Sequence, residues 1–469
     1  MSNIRPSSAA TSRAPGLRQT LDALATRRTT AVALTEQVLE SAEDCKRCVN
    51  AFSVIDWDRA LKAAADSDLR YAKGEQRPLE GLPFGVKDLI DTKDVETRYG
   101  SAAYLGHIPT ADADVVRQLV EQGAIPIGKT TTHEFAWGVT TASTVYGDTL
   151  NPLDRTRIPG GSSGGAAAAI AYGSITAGLG TDTGGSVRIP AAMCGVVGFK
   201  PSFGALSTRG VFPLAPTLDH TGLLGESVDD VVLLSAALQL KVPEDDAWVS
   251  ARLGVVREIA PIPPSPSIAS AFGDAIECLD EVFACVELDT SDLFADVYGA
   301  FASIVLTEGA IEHFRRNDWD RIVTHYGLET IERLQRAKAV NLRDYARAQE
   351  TRRGFAANLH RVMSTVDYLV LPTCPCTAPL IDAHSATIGE WSGTVREALM
   401  TYTAPFNVAG LPAISIPLAW GGGLPASLQI VAKPGQDGAL LQIAQQMELI
   451  LRARPPANRP AQMQPGAQE

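Results

Sequence analysis

The sequence predicts an α/β fold: a large mixed, mostly parallel central sheet with helices on both faces, plus a helical insertion. Three observations predict it. From about 82 to 200, short apolar runs alternate with runs of helical spacing, the pattern of strands joined by crossover helices. Residues 263–366 carry long helical periodicities instead. Short strand-like runs then return at 368–372, 413–417 and 427–431.

In chain order, Leu17, Leu21 and Leu24, followed by Val32, Leu34, Val38 and Leu39, recur at helical spacing, and Thr30 is placed to cap the second helix. A short strand is expected at 51–55 and a helix at 58–73. Buried strands are expected at 82–86, 124–127 and 196–199, with helices at 115–122 and 165–172. A helix at 226–241 and a strand at 253–256 follow. The insertion reads as helices 268–283, 294–314, 328–339 and 342–363, and a helix at 438–451 closes the pattern. Residues 1–15 and 453–469 are rich in Pro, Ala and polar residues and read as disordered tails. No linker divides what lies between, so 16–452 reads as one domain, with its core motifs in 80–240 and a mostly helical, substrate-shaping region at 263–400.

Of 469 residues, 45% are hydrophobic and 20% charged, which excludes global disorder and a fibrous protein. The net charge of −12 argues against a nucleic-acid or membrane-surface binder, which needs a basic face. The expected partner is therefore a small-molecule substrate, with no nucleic acid and no membrane. Seven cysteines are sparse and odd in number, and Cys45 and Cys48 form a C-x-x-C without a second pair, so a disulfide framework or zinc site is not indicated. The start lacks an apolar stretch, and no run reaches membrane-spanning length. A reduced, cytoplasmic protein is expected.

Three motifs match on paper only. Residues 123–130, GAIPIGKT, fit the phosphate-loop pattern, but a helix precedes Gly123 and the variable positions read as a strand. Gly160-Gly161-Ser162-Ser163-Gly164 fits G-x-S-x-G, yet no buried strand leads into it, and nothing marks His360 or His384 as its partner. His133-Glu134 lacks the second histidine of a zinc-protease helix, because position 137 is Trp137. No metal and no cofactor are expected.

The chemistry concentrates in 158–202, where loops 160–165 and 180–186 carry serines among glycines around an Ala-rich helix. Glycine lets backbone N–H groups approach a ligand closely. Thr183, Gly184, Gly185 and Ser186 are thus candidate donors for an oxyanion, with an anion-binding nest as the competing reading. Upstream, Lys87 ends an apolar strand, an unusual place for a lysine. Paired with the serine loops, it becomes a candidate base.

These residues resemble the amidase signature hydrolases. The resemblance lies in GLPFGVKD, GAIPIGKTTTHEFAWG, NPLDRTRIPGGSSGG, GLGTDTGGSVRIPAAMCGVVGFKPSFG and the later TAPFNVAGLPAISIP with LPASLQIVA, and covers about 20 to 450. It implies that fold, Ser186 as nucleophile, Ser162 as a bridging serine after a cis peptide, and Lys87 as the ultimate base. Asp182 and Arg188 are expected to orient the nucleophile loop, and Ser163 to support it without reacting. Trp137 and Gly138 fall in the segment that borders the acyl pocket. The implied activity is hydrolysis of a carboxamide or related acyl–nitrogen bond (anilide, carbamate or ureide), and the common assembly is a homodimer. Phe294, Phe301, Ile304, Tyr402 and Phe406 suit an aryl or alkyl substrate, although core packing explains them equally. The alternative is the A subunit of a tRNA-dependent glutamine amidotransferase. There the resemblance leads one to expect Asn and Gln where this chain has Leu89 and His220, departures that favour a stand-alone hydrolase.

Overall fold

Thirteen strands emerge in the computed structural model, which describes residues 16–243, 247–290, 292–418 and 423–453. They are β1 (Phe52–Ile55), β2 (Pro83–Lys87), β3 (Ile125–Thr130), β4 (Ala177–Asp182), β5 (Val197–Lys200), β6 (His220–Gly225), β7 (Arg252–Val255), β8 (Ala284–Glu287), β9 (Tyr368–Pro372), β10 (Ser385–Ile388), β11 (Trp391–Thr394), β12 (Ala413–Pro417) and β13 (Ser427–Val431). Eleven form one mixed sheet in the order β1-β3-β2-β4-β6-β5-β12-β13-β9-β7-β8, while β10 and β11 form a separate hairpin. β3, β2 and β4 run parallel, as do β9, β7 and β8. Antiparallel pairings join the two blocks and add β1 at the edge.

Side-chain alternation puts a separate core on each face of the sheet. Along β9, Tyr368 and Val370 join the core beneath the helices Val228–Ala237, Pro266–Asp280 and Asp437–Ala453, while Leu369 and Leu371 join the opposite core. That second core takes Phe301 and Ile304 from the helix Val297–Arg316 and Phe355 and Leu359 from the helix Leu342–Met363, which belong to the expected insertion. A third core packs the helix Ala31–Val49 against the buried helix Gly164–Tyr172. Thr30 caps the former, its hydroxyl accepting from Ala33 N–H at 3.1 Å. The expected tail 1–15 lies outside the described residues, as does 454–469, and Ala453 ends the last helix. Among the described residues no helix is long and apolar enough to cross a membrane.

The phosphate-loop lookalike is β3 itself. A helix, Asp114–Glu121, precedes it, and the Ile125–Thr130 backbone pairs with β1 and β2. Lys129 is fully buried and its amine donates to Ile90 O, to Thr92 Oγ1 at 3.0 Å and to Thr97 Oγ1 at 3.1 Å. It holds the segment after β2 in place. Removing it takes a donor from three buried oxygens, of which Ile90 O keeps only the 3.4 Å bond from Thr92 Oγ1. Lys129→Ala is therefore expected to cost roughly 3 kcal/mol in urea unfolding. Wild-type protein should show no saturable ATP binding by calorimetry.

Candidate active site

Because β2 and β4 are parallel neighbours, with Gly85 opposite Gly178 and Val86 opposite Leu179, the loops that follow them leave the same edge of the sheet. Lys87 ends one strand and Asp182 the other. Lys87 is fully buried, and its amine donates to Ser162 Oγ at 2.9 Å and to Thr181 Oγ1 at 2.7 Å. Burial drives the amine down to about 7, against the carboxylates of Asp182 and Asp219, which favour its charged form. No carboxylate lies within salt-bridge distance of it among the described residues.

Ser162 follows a cis peptide bond from Gly161 and lies just ahead of the Gly164–Tyr172 helix. Ser163 supports the loop. Its hydroxyl accepts from Thr181 N–H and donates to Thr181 O, both at 3.2 Å. Its N–H donates to Ser186 O at 3.1 Å, which ties the two serine loops together backbone to backbone. Ser186 is itself buried, two residues before the helix Arg188–Cys194.

The Ser186 loop is held by a buried ion pair. Arg188 donates to Asp182 Oδ1 at 2.9 Å and Oδ2 at 3.0 Å, and neither side chain is exposed. Burial alone would raise the Asp182 carboxyl, but the Arg188 charge and hydrogen bonds, with Lys200 and Asn407, hold it well below the usual carboxylate range. Asp182 also accepts from Gly185 N–H at 2.8 Å and Val187 N–H at 3.2 Å. The Gly185 donor is thus spent inside the loop, which leaves Thr183, Gly184 and Ser186 of the four expected oxyanion donors. Gly185 has φ +130°, a region that favours glycine, and a side chain there would strike Thr403 Oγ1. At Gly184 a side chain would strike Phe301 and Met400, so these two apolar side chains lie directly against the loop. Thr403 Oγ1 donates to Gly184 O at 2.6 Å.

Sequence reasoning missed several of these residues. Thr181, the second partner of Lys87, and Asp219, whose Oδ1 accepts from Thr183 Oγ1 at 2.6 Å, carry no signal of their own. Asn407, which donates to Asp182 O at 2.9 Å, and Gln429, which accepts from Arg188 at 2.7 Å, come from motifs more than 200 residues away. Trp137 is fully buried, its indole stacked on His313 with ring centroids 5.7 Å apart, and its carbonyl accepts from Arg333 and Arg396. Gly138 packs under the His133 ring. Of the apolar residues singled out in the insertion and beyond, Phe301 reaches the Ser186 loop, while Phe294, Ile304, Tyr402 and Phe406 are buried in the core. His360 lies far along the Leu342–Met363 helix and His384 before the β10–β11 hairpin, and neither is bonded to the serine loops.

The Amidase family model matches residues 33–441. The chain is 34% identical to the A subunit of glutamyl-tRNA(Gln) amidotransferase from Chloroflexus aurantiacus, over 90% of this chain and 93% of that protein. A solved amidase structure has a TM-score of 0.87 at 34% identity, covering 93% of this chain and all of its own. The solved A subunit of glutamyl-tRNA(Gln) amidotransferase from Thermotoga maritima has a TM-score of 0.71 at 27% identity, over 88% and 90% of the two chains. These relatives overturn the expected partners, a small-molecule substrate and no nucleic acid. Proteins similar over nine-tenths of the chain are named as one subunit of an amidotransferase of glutamyl-tRNA(Gln). The expectation rested on the net charge of −12, which describes a whole surface and carries no information about one member of an assembly. With the family model spanning both serine loops and Lys87, and its fold shared with solved amidases, the chain belongs to the amidase family.

Proposed function

We propose that the chain cleaves a carboxamide C–N bond through an acyl-enzyme on Ser186. The observation that carries this reading is the buried amine of Lys87, hydrogen-bonded to the Ser162 hydroxyl with no carboxylate in salt-bridge distance among the described residues. A neutral lysine is a base, and a hydroxyl between it and a nucleophile can accept one proton while passing on another. Ser186 Oγ attacks the carbonyl carbon, and its proton moves to Ser162 as the Ser162 proton moves to Lys87. The oxyanion is received by the N–H groups of Thr183, Gly184 and Ser186. Collapse breaks the C–N bond, the proton returns through Ser162 to the departing nitrogen, and water then frees the acid by the same relay in a second round.

This half-reaction has two settings. As a stand-alone hydrolase the chain would release both products. As the A subunit of a tRNA-dependent glutamine amidotransferase it would take the amide of glutamine and yield the nitrogen to an acceptor. The curated relatives favour the second setting, since they match nearly end to end. Leu89 and His220 are the residues that stand on the other side.

Glutamine is the substrate to try first, with ammonia release measured for the chain alone and again with the other subunits of such an amidotransferase and glutamyl-tRNA(Gln). Ser186→Ala is expected to abolish release in either case. Release that needs the added subunits assigns the amidotransferase setting, and release that survives Ser186→Ala refutes the acyl-enzyme.

The pH profile tests the lysine. Lys87 acts only when neutral, so kcat/KM should rise as pH increases through about 7 and stay high above it. Lys87→Ala should lower kcat by roughly 10²–10⁴-fold with little change in KM. A flat wild-type profile between pH 5 and 9 would remove Lys87 from the mechanism.

A further inference from the structure

Two helices each bring one apolar side chain to the Ser186 loop. Phe301, from the helix Val297–Arg316, and Met400, from the helix Val395–Thr401, both lie against Gly184. Residues three and four apart share one face of a helix, so Tyr298 and Arg396 stand one turn along on the same faces. The Tyr298 and Phe301 rings are 6.2 Å apart between centroids. One turn is about 5.4 Å, which an acyl chain of about four or five carbons spans.

At that distance two guanidinium groups converge. Arg396 Nη1 donates to Trp137 O at 3.2 Å, and Arg333 Nη1 donates to the same carbonyl. The Tyr298 phenol lies near both. Burial pushes its pKa up and Glu397 adds to the rise, while the charges of Arg396 and Arg333 oppose it. Arg333 also donates to Glu329, which accepts from His133 Nε2 at 3.0 Å as well. Arg396, bonded to the Trp137 carbonyl, has no carboxylate within salt-bridge distance among the described residues. The Glu397 carboxylate lies instead against Gly393, ahead of the helix. Burial, then the Arg396 charge, pushes the Arg333 guanidinium down to about 10, as expected where like charges are held together. Unlike the Asp182–Arg188 pair, this cluster is open to solvent. Tyr298 and Arg396 are half-buried, and the Arg333 side chain is 14% exposed. Two guanidinium groups short of one carboxylate, with N–H donors to spare, suit a carboxylate.

We propose that Arg396, Arg333 and Tyr298 receive a carboxylate on the acyl part of the substrate, so that the chain takes the monoamide of a short dicarboxylic acid. The inference rests on the acyl-enzyme reading above and names its substrate class. With the scissile carbonyl at the Gly184 N–H, the methylenes run past Phe301 and Met400 and the far end reaches the arginines. In glutamine the carbon that bears the carboxylate also bears an ammonium, which would stand beside both guanidinium groups. Like charges repel there, so the acid without the amine is the better fit.

The test measures binding without turnover, on the Ser186→Ala protein, by ligand-observed NMR titration. The ligands are glutaramate, glutamine and pentanamide, the last ending in a methyl group where glutaramate has its carboxylate. Glutaramate is expected to bind roughly tenfold more tightly than either, the worth of one charge-assisted hydrogen bond. Adding Arg396→Gln should bring it to within about threefold of pentanamide. Arg396→Lys, which keeps the charge without the planar fork, should restore part of the preference. Arginines that only brace Trp137 would weaken all three ligands alike. Should the Arg396→Gln protein fail to fold, Tyr298→Phe is expected to lower the glutaramate preference roughly threefold in its place. Equal affinity for glutaramate and pentanamide, tighter binding of glutamine, no saturable binding, or a preference that a folded Arg396→Gln protein keeps overturns the proposal. Failure of the acyl-enzyme reading shows up separately, as amide turnover that survives Ser186→Ala.

Discussion

The Asp182–Arg188 pair is the constraint on which the rest of the site depends. Two charges without solvent contact are tolerated only when their remaining hydrogen-bonding capacity is filled. Here it is filled in a way that ties distant parts of the chain together. The spare Asp182 lone pairs take Gly185 N–H, Val187 N–H and Asn407 Nδ2. The spare Arg188 donors go to Thr403 O, Gln429 Oε1 and Asn407 Oδ1. The loop between β4 and the Arg188–Cys194 helix is therefore clamped from within and from the C-terminal part of the chain. Ser186 sits inside that clamp, so the position of its backbone follows from electrostatics that never touch a substrate.

Burial alone does not single out the base. Lys87, Lys129 and Lys200 are all fully buried, and desolvation lowers all three amines. Their partners separate them. Lys200 donates to Pro201 O and Leu411 O, and Lys129 to Ile90 O beside two threonines. A carbonyl accepts a hydrogen bond but has no proton to pass on. Lys87 donates only to hydroxyls, and one of them belongs to the serine whose neighbour is tied to the Ser186 backbone. Lys200 and Lys129 each bond at least one carbonyl, whereas both partners of Lys87 are hydroxyls, and this difference supports the proposed base.

What can be read from sequence follows the strength of local signals. The strands rich in β-branched and Leu residues, β9, β12 and β13, have the expected bounds to the residue, because an apolar run between turn residues admits few alternatives. β4 and β6, AGLGTD and HTGLLG, escape notice although they lie at the centre of the sheet. Glycine-rich segments have weak strand propensity, and their pairing is set by neighbours that local pattern does not display. The same glycines make 160–165 and 180–186 legible as close-approach loops, so the feature that hides the strand exposes the site. Lys87, Ser162 and Ser186 are readable from motif. Thr181 and Asp219 are not, since a threonine beside a lysine, or an aspartate 36 residues from Thr183, becomes meaningful only once β4 and β6 are paired.

The same locality explains why the site and the relatives bear on different questions. Acylation of a serine by an amide is common to a hydrolase and to the A subunit of an amidotransferase, so the loops that perform it look alike in both. The two proposed settings differ in what happens to the nitrogen. Leu89 and His220, which set this chain apart from the A-subunit pattern, border one cavity together with Thr181. An Asn or Gln side chain offers a donor and an acceptor at once, whereas Leu89 offers neither. The serine loops are therefore common ground between the two settings, and Leu89 and His220 are where this chain departs from the A-subunit pattern.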